Sequence, residues 1–378
     1  MNKVDNCGEI RLPAGNKLVL SSSPHLSSGA SLYKIMAGVL LAMLPVMTAA
    51  VWFFGWLALW LTLYTVICCV AAEAVWCYFA GKPVIKTISD CSAAVTGVLL
   101  AFCLPVSVPL YVPPVGAVLA IWLGKQVYGG LGHNPFNPAL VARVGLLIAL
   151  PAAMTAWTPS SGMMKEDYPA REIFFNAENL AKTSTSPADA ITCATPLGVV
   201  GTTAKTLDRE QGRETFAGIR NKELLWRCFL GDRAGCIGET SVLALLAGFV
   251  ILVALNLINW RVPVLFISTV ALTSAAVNLL YPGVTPDAVF HLLNGGLWLG
   301  AVFMATDMVT SPITGWGCIV FAIGCGVVTS VIRIFGNYPE GVSFAILFMN
   351  ALVPLIDRWC GSRPFGYVSR RERKGAEK

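Results

Sequence analysis

The chain has 378 residues, of which 56% are hydrophobic and only 13% charged, and its mean hydropathy is +0.67. Soluble domains devote about a quarter of their residues to charge, so this chain has too little polar surface to cover water-exposed domains. The net charge of +6 gathers at the C-terminus, where Arg358, Arg363, Arg370, Arg371, Arg373, Lys374 and Lys378 follow an apolar run; that suits a cytoplasmic anchor at anionic lipid and argues against a nucleic-acid surface.

In chain order, residues 1–33 come first, a polar segment without the early apolar run of a cleavable signal. A helix crossing the hydrocarbon core needs about 20 apolar residues. Candidate spans lie near 34–55, 56–80, 92–108, 114–124 and 138–157, then near 241–259, 262–280, 293–305, 313–332 and 342–357. The expectation is an all-α integral membrane protein of about ten transmembrane helices. It divides into a first five-helix membrane repeat at 34–157, a loop at 158–237, a second repeat at 238–357 and a basic tail at 358–378. The spans at 114–124 and 293–305 are short and carry Gly or Pro, a pointer to broken helices around a central site.

A repeat supports the two-fold division. Gly97 pairs with Gly300 at an offset of 203 positions (300 minus 97), Pro109 with Pro312 and Pro151 with Pro354 at the same offset, and Pro135 with Pro339 at 204. Five spans per half is an odd number, so the second half is expected to insert inverted relative to the first. Lys82, Lys86, Lys125 and Arg261 sit in short loops that fall on one side together with the basic tail, which predicts cytoplasmic termini; the exception is Arg333, in the loop after the ninth span, on the far side beside Glu340. The loop at 158–237 holds about twenty charges of mixed sign and is then extracytoplasmic, since long loops cross regardless of charge.

Ionisable groups at membrane depth are candidates for function. Glu73 lies within the second span, Asp307 follows the eighth and Glu340 precedes the tenth, while His133 and His291, the latter near Asn294, could bond a ligand or relay a proton. Gly129-Gly130 and Gly295-Gly296 would let the backbone approach either a flat ring or another helix closely. No Cys-x-x-Cys occurs, so no iron–sulfur or zinc ligand set is read. Nor does a Gly-x-Gly-x-x-Gly follow a soluble strand to bind a dinucleotide. No metal ligand and no catalytic residue is assigned.

The loop contains Asp189-Ala-Ile-Thr192-Cys193-Ala194-Thr195-Pro196. As residues alone, this is an Asp and two hydroxyls ahead of a proline, a common helix-cap or Asx-turn arrangement. The string also resembles the flavinylation signature Asp-x-x-Ser/Thr-Gly-Ala-Ser/Thr, in which FMN is joined through a phosphoester to the last hydroxyl. The matching residue is Thr195, with Asp189 and Thr192 at the other two motif positions. Cys193 stands where the signature has glycine, a residue that allows positive φ and close approach of a bulky donor.

Further strings extend the resemblance: Ser22-Ser-Pro-His25, Asp90 to Gly97, Lys125 to Pro138, Gly238-Glu239-Thr240-Ser241, His291 to Gly296, Ala305-Thr306-Asp307 with Thr310-Ser-Pro312, and Tyr338-Pro-Glu340-Gly341 followed by Asn350. Together they resemble the RnfD family, the D subunits of Rnf electron-transport complexes, and more distantly the B subunits of sodium-pumping NADH:quinone reductases. The resemblance implies a flavoprotein of the bacterial inner membrane that relays electrons between ferredoxin and NAD and helps couple this to Na+ or H+ movement. It also implies covalent FMN, a non-covalent riboflavin, a flavin transferase for attachment, and other membrane and soluble redox subunits without which the chain is inactive. The competing reading is a stand-alone inverted-repeat transporter or channel, which has no reason to carry the string from Asp189 to Thr195.

Overall fold

The computed structural model describes residues 31–165, 168–169, 174, 193–200, 221–281, 285–336 and 340–361; the elements among them are helices. In the first half they are α1 (Leu32–Phe54), α2 (Trp56–Phe79), α3 (Val84–Ile88), α4 (Ser92–Phe102), α5 (Val112–Val118) running into a π-helical stretch (Leu119–Gln126), α6 (Pro138–Ala149) and α7 (Pro151–Met154). An amphipathic helix, α8 (Lys222–Leu230), precedes the second half. There follow α9 (Val242–Ala254), α10 (Arg261–Leu280), α11 (Ala288–Leu293), α12 (Leu297–Leu299) running into a π-helical stretch (Gly300–Met304), α13 (Gly315–Phe335) and α14 (Val342–Trp359).

Five of these, α1, α2, α10, α13 and α14, are long and apolar enough to cross a membrane, and α4, α6 and α9 are shorter apolar helices. Trp52, Trp56, Trp60, Trp316 and Trp359 are exposed on the perimeter, the pattern of side chains facing lipid and its interfaces. The chain is a membrane protein. Local signals begin the helices where expected. Ser31, Asn137, Ser241 and Thr314 each cap the helix that follows by accepting from backbone N–H groups in its first turn.

The expected span at 138–157 is interrupted. Pro151 has no N–H to continue the ladder, and Leu150 before it leaves the helical region at φ −132° and ψ 56°. Of the two short spans expected to be broken, only the second is: the first runs without interruption from α5 into its π-helical stretch, with helical backbone at Val118 and Leu119. The first turns π-helical near its end, whereas the second is split at Asn294–Gly296 before its π-helical stretch. On the 203-residue offset these π-helical stretches do not coincide.

The elements pack as α2 on α4, α10 on α13, α13 on α14 and α6 on the first π-helical stretch. Across the halves, α1 packs on α9 and α6 meets α14, and Asn137 Nδ2 donates to the Met304 carbonyl at 3.4 Å. One large apolar core runs through the bundle. A smaller one, including Tyr168, Cys193, Leu197, Leu224 and Cys228, lies under the segment that carries Thr195.

Candidate functional site

Thr195 caps a helical turn at 196–200: its Oγ1 accepts from the Gly198 N–H at 3.0 Å, and Pro196 fills the first helical position, where a missing N–H costs nothing. The two residues before it are held by main-chain bonds, Cys193 N–H to the Trp157 carbonyl at 3.1 Å and Ala194 N–H to the Phe174 carbonyl at 3.0 Å. Cys193 does not adopt a left-handed backbone; among described non-glycine residues only Cys91 and Asn256 do. A glycine is therefore not required there, and the departure from the signature imposes no backbone strain. The Cys193 thiol is buried, and burial pushes its pKa up to about 12.

Thr195 lines a cavity of about 290 Å³ together with Leu147, Met154, Trp157, Phe344, Arg143 and Glu340. The first four make apolar walls. Arg143 and Glu340 belong to a buried charge cluster behind it. Arg143, on α6, donates to Glu239 Oε1 at 2.5 Å and also to Glu340 Oε2. Arg233 donates to Asn294 Oδ1 at 2.9 Å and to the Leu293 and Glu239 carbonyls. Arg333, expected in a loop, instead lies buried in the last turn of α13 and donates to the carbonyls of His291 at 2.7 Å, Glu340 at 3.1 Å and Asn294 at 3.3 Å. Among the described residues neither Arg233 nor Arg333 has a carboxylate within ion-pair distance.

Among the described residues, three guanidinium groups therefore face two carboxylates. The surplus positive charge is buried, where an uncompensated ion is expensive and an anion is strongly favoured. Glu340 is the partly exposed member, with 18% of its side chain accessible; burial raises its carboxyl to about 7, opposed by Arg143 and assisted by Glu239. Cys236, Glu239 and Glu340 bring ligand-type atoms within 4.8 Å of one another, but Arg143 already bonds both carboxylates. Gly295 has φ +76°, and a Cβ on Gly296 would lie 2.5 Å from Glu239 Oε1. The glycine pair makes a tight turn past the cluster and is not a helix–helix contact, one of the two readings its sequence left open.

At the other end of the bundle, a cavity of about 320 Å³ is lined by Lys125, Ser92, Asn134, Asn137, Thr306 and Asp307 among apolar side chains. Lys125 was expected in a water-exposed loop. Instead it lies near the end of the first π-helical stretch and is 1% exposed, its ammonium donating to Glu73 Oε1 at 2.5 Å and to Ser92 Oγ at 2.7 Å. Gln126 Nε2 donates to the same Glu73 oxygen at 2.7 Å. Glu73 Oε2 and Asn134 Oδ1 are buried without a hydrogen-bond partner.

Of the residues singled out from the sequence, Thr195 and Glu340 meet at one cavity, and Asp307 lies at the other. Glu73 is buried in an ion pair, His291 is buried behind the cluster, and His133 is exposed. Asp189, Thr192, the string from Ser22 to His25 and most of the basic tail lie outside the described residues. Neither Arg143 nor Arg233 is marked by a motif. The available signal for Arg143 was a lone charge in the apolar run 138–149.

Comparison with known proteins matches residues 19–366 to the NQR2, RnfD, RnfE family model. Similar proteins include the D subunit of the ion-translocating oxidoreductase complex of Stutzerimonas stutzeri, 42% identical over 90% of this chain and 94% of that one. The D subunit of the proton-translocating ferredoxin:NAD(+) oxidoreductase complex of Clostridium ljungdahlii is 41% identical over 93% and 97%. Its counterpart in the Na(+)-translocating ferredoxin:NAD(+) oxidoreductase complex of Acetobacterium woodii is 40% identical over 92% and 95%.

Proposed function

Because the chain belongs to the NQR2, RnfD, RnfE family, we propose that it is the D-type membrane subunit of an ion-translocating ferredoxin:NAD oxidoreductase complex, carrying FMN on Thr195 through a phosphoester. Relatives named for protons and for sodium are almost equally similar to it, so the coupled ion is Na+ or H+ and overall identity does not choose between them. The other membrane and soluble redox subunits are its partners, and a flavin transferase makes the attachment. The reading extends to ten spans in two inverted repeats, cytoplasmic termini, an outer loop bearing Thr195, and a bacterial inner membrane. With Lys125 removed from the loop charges, Lys82, Lys86, Arg261 and the tail still argue for that orientation.

One observation carries the flavin assignment. The Thr195 hydroxyl opens on a cavity that also presents Arg143 and Glu340, and the cluster buried behind it holds, among the described residues, three arginines against two carboxylates. A phosphodiester is a monoanion, so at Thr195 it would balance that surplus. Leu147, Met154, Trp157 and Phe344 offer apolar surface to a flat ring, and the volume lies near the lower bound of about 300 Å³ for ligand pockets. When bound, the flavin supplies one- and two-electron transfer. The chain's part is to hold it, to keep water from one face and to fix its concentration near the next carrier. The cavity beside Lys125, with the unpartnered Asn134 oxygen, would take the non-covalent riboflavin.

The test is a denaturing gel viewed under ultraviolet light. Wild-type protein should fluoresce as a covalent flavin adduct and Thr195→Ala should be dark. A wild-type band without fluorescence, from cells that contain the transferase, would refute the attachment. Solute transport by the purified chain without redox partners would favour the transporter reading.

A further inference from the structure

We infer that Glu340 is the proton-exchanging group of the cavity beside Thr195, taking a proton from the outer water when negative charge arrives there and returning it when the charge leaves. The inference rests on the assignment of a tethered flavin to Thr195. It starts from the ionisable groups that line the cavity, which are Arg143, Cys193 and Glu340.

Arg143 bonds two carboxylates, and a guanidinium does not release its proton in proteins. Cys193 is a neutral thiol with its pKa raised to about 12, so it has no vacant site for a proton. Glu340 has both requirements: an ionisable oxygen on the cavity and partial access to water, at 18% side-chain exposure.

The groups facing Glu340 poise it. Arg143 comes from α6, Arg333 from α13, Cys103 from the end of α4, and Arg233, Cys236 and Glu239 from the segment before α9. The guanidinium groups favour the carboxylate, while burial and the second carboxylate oppose it, and the balance brings the carboxyl to about 7. Glu239 does not line this cavity and is 3% exposed; it is the fixed counter-ion and Glu340 the exchangeable one.

The balance is simple. One electron enters the cavity from the preceding one-electron carrier of the complex, and one proton leaves the outer water to form an O–H bond on Glu340. Arg143 then keeps its bond to Glu239 while its attraction to Glu340 weakens. Oxidation by the next carrier reverses both transfers.

The experiment measures the midpoint potential of the tethered flavin against pH in the purified complex, for wild type, Glu340→Gln and Glu340→Asp. Above about pH 7 the wild-type potential should lie below that of Glu340→Gln, because a carboxylate disfavours added negative charge. The difference should close below that pH, where the wild-type group is already neutral. Glu340→Asp should retain a pH-dependent difference with a displaced closing point. Infrared difference spectra on reduction near pH 7.5 should gain a protonated-carboxyl band in wild type that Glu340→Gln lacks. A difference constant across pH, or a band that persists in Glu340→Gln, overturns the role of Glu340. Should Glu340→Gln not assemble, identical curves for Glu340→Asp and wild type do so. Gel fluorescence of the same samples reports the tether alone: a dark wild-type band overturns the flavin assignment and this inference with it, whereas a fluorescent band with a pH-independent difference overturns Glu340 only.

Discussion

Lys125 and Glu73, 52 positions apart in the chain, form an ion pair of 2.5 Å in which neither side chain reaches the surface. Its environment makes it brittle. Removing one partner leaves a buried charge without a counter-ion, so Lys125→Met should destabilise the protein by roughly 3–5 kcal/mol. The double variant Glu73→Gln, Lys125→Met should lose much less than the sum of the single losses. Thermal inactivation in detergent, run as a double-mutant cycle, measures the coupling. Additive losses would mean that the pair is not energetically linked.

Thr195 serves as a cap as well as a candidate attachment point, and the two roles separate by substitution. Thr195→Asn keeps a side-chain acceptor for the Gly198 N–H but offers no hydroxyl, so it should be dark in the gel and close to wild type in stability. Thr195→Ala should be dark and also lose about 1 kcal/mol of local stability. Within the string, Thr192→Ala should reduce attachment partly and Asp189→Ala more strongly. Fluorescence that survives in Thr195→Asn and disappears in Thr192→Ala would move the attachment to the other hydroxyl.

Cys193 should resist alkylation in the folded protein. Its thiol is raised to about 12 by burial, so the reactive thiolate is scarce from pH 7 to 9 and increases only as pH climbs toward that value. Maleimide labelling of a variant retaining Cys193 alone should stay slow until denaturant is added. Because no positive φ is needed at this position, Cys193→Gly should leave flavin attachment unchanged. Stronger gel fluorescence in Cys193→Gly would show that the cysteine does hinder the reaction.

Orientation is open to a direct check. A reporter active only outside the cytoplasm should give signal when fused after about residue 205 and none when fused after Lys378. The reverse pattern would invert the sides assigned to both cavities.

The isolated chain should not reduce NAD with ferredoxin, however much flavin it carries. No Cys-x-x-Cys is present to hold a cluster, and mild-detergent purification should bring membrane and soluble redox subunits with it. Ferredoxin:NAD activity from a single-chain preparation would contradict this dependence.

The sequence carried the outline of the fold because spans are written in long apolar runs, which the chain cannot disguise. Helix starts at Ser31, Asn137, Ser241 and Thr314 were also legible in principle, since a cap is a local event. The break at Leu150–Pro151 was less visible: apolar residues continue through it, and only the proline marks the end. Lys125 was misplaced for a related reason. A cation next to a Gly-rich turn looks like a loop residue until Glu73, on another helix, is known to meet it. The cluster around Arg143 was the least legible feature. Its members come from α6, α13 and the segments at 233–239 and 340, and no local pattern can report a balance of charge assembled from four separate places. Thr195 was singled out by the order of its neighbours, not by anything that its own chemistry displays.

The end of α4 has a consequence for how the protein is made. Three successive carbonyls there, Phe102, Cys103 and Leu104, accept from the Gly238 N–H at 3.0 Å, the Cys236 thiol at 3.0 Å and the Ile237 N–H at 3.1 Å. These donors are translated well over a hundred residues later. Until the ribosome has passed them, the first half carries polar groups at its heart that apolar surroundings cannot satisfy. The newly inserted first half is therefore an incomplete object that needs water, lipid headgroups or an insertion factor to cover it. Each half expressed alone should be a poor product, and the two co-expressed as separate chains should find one another.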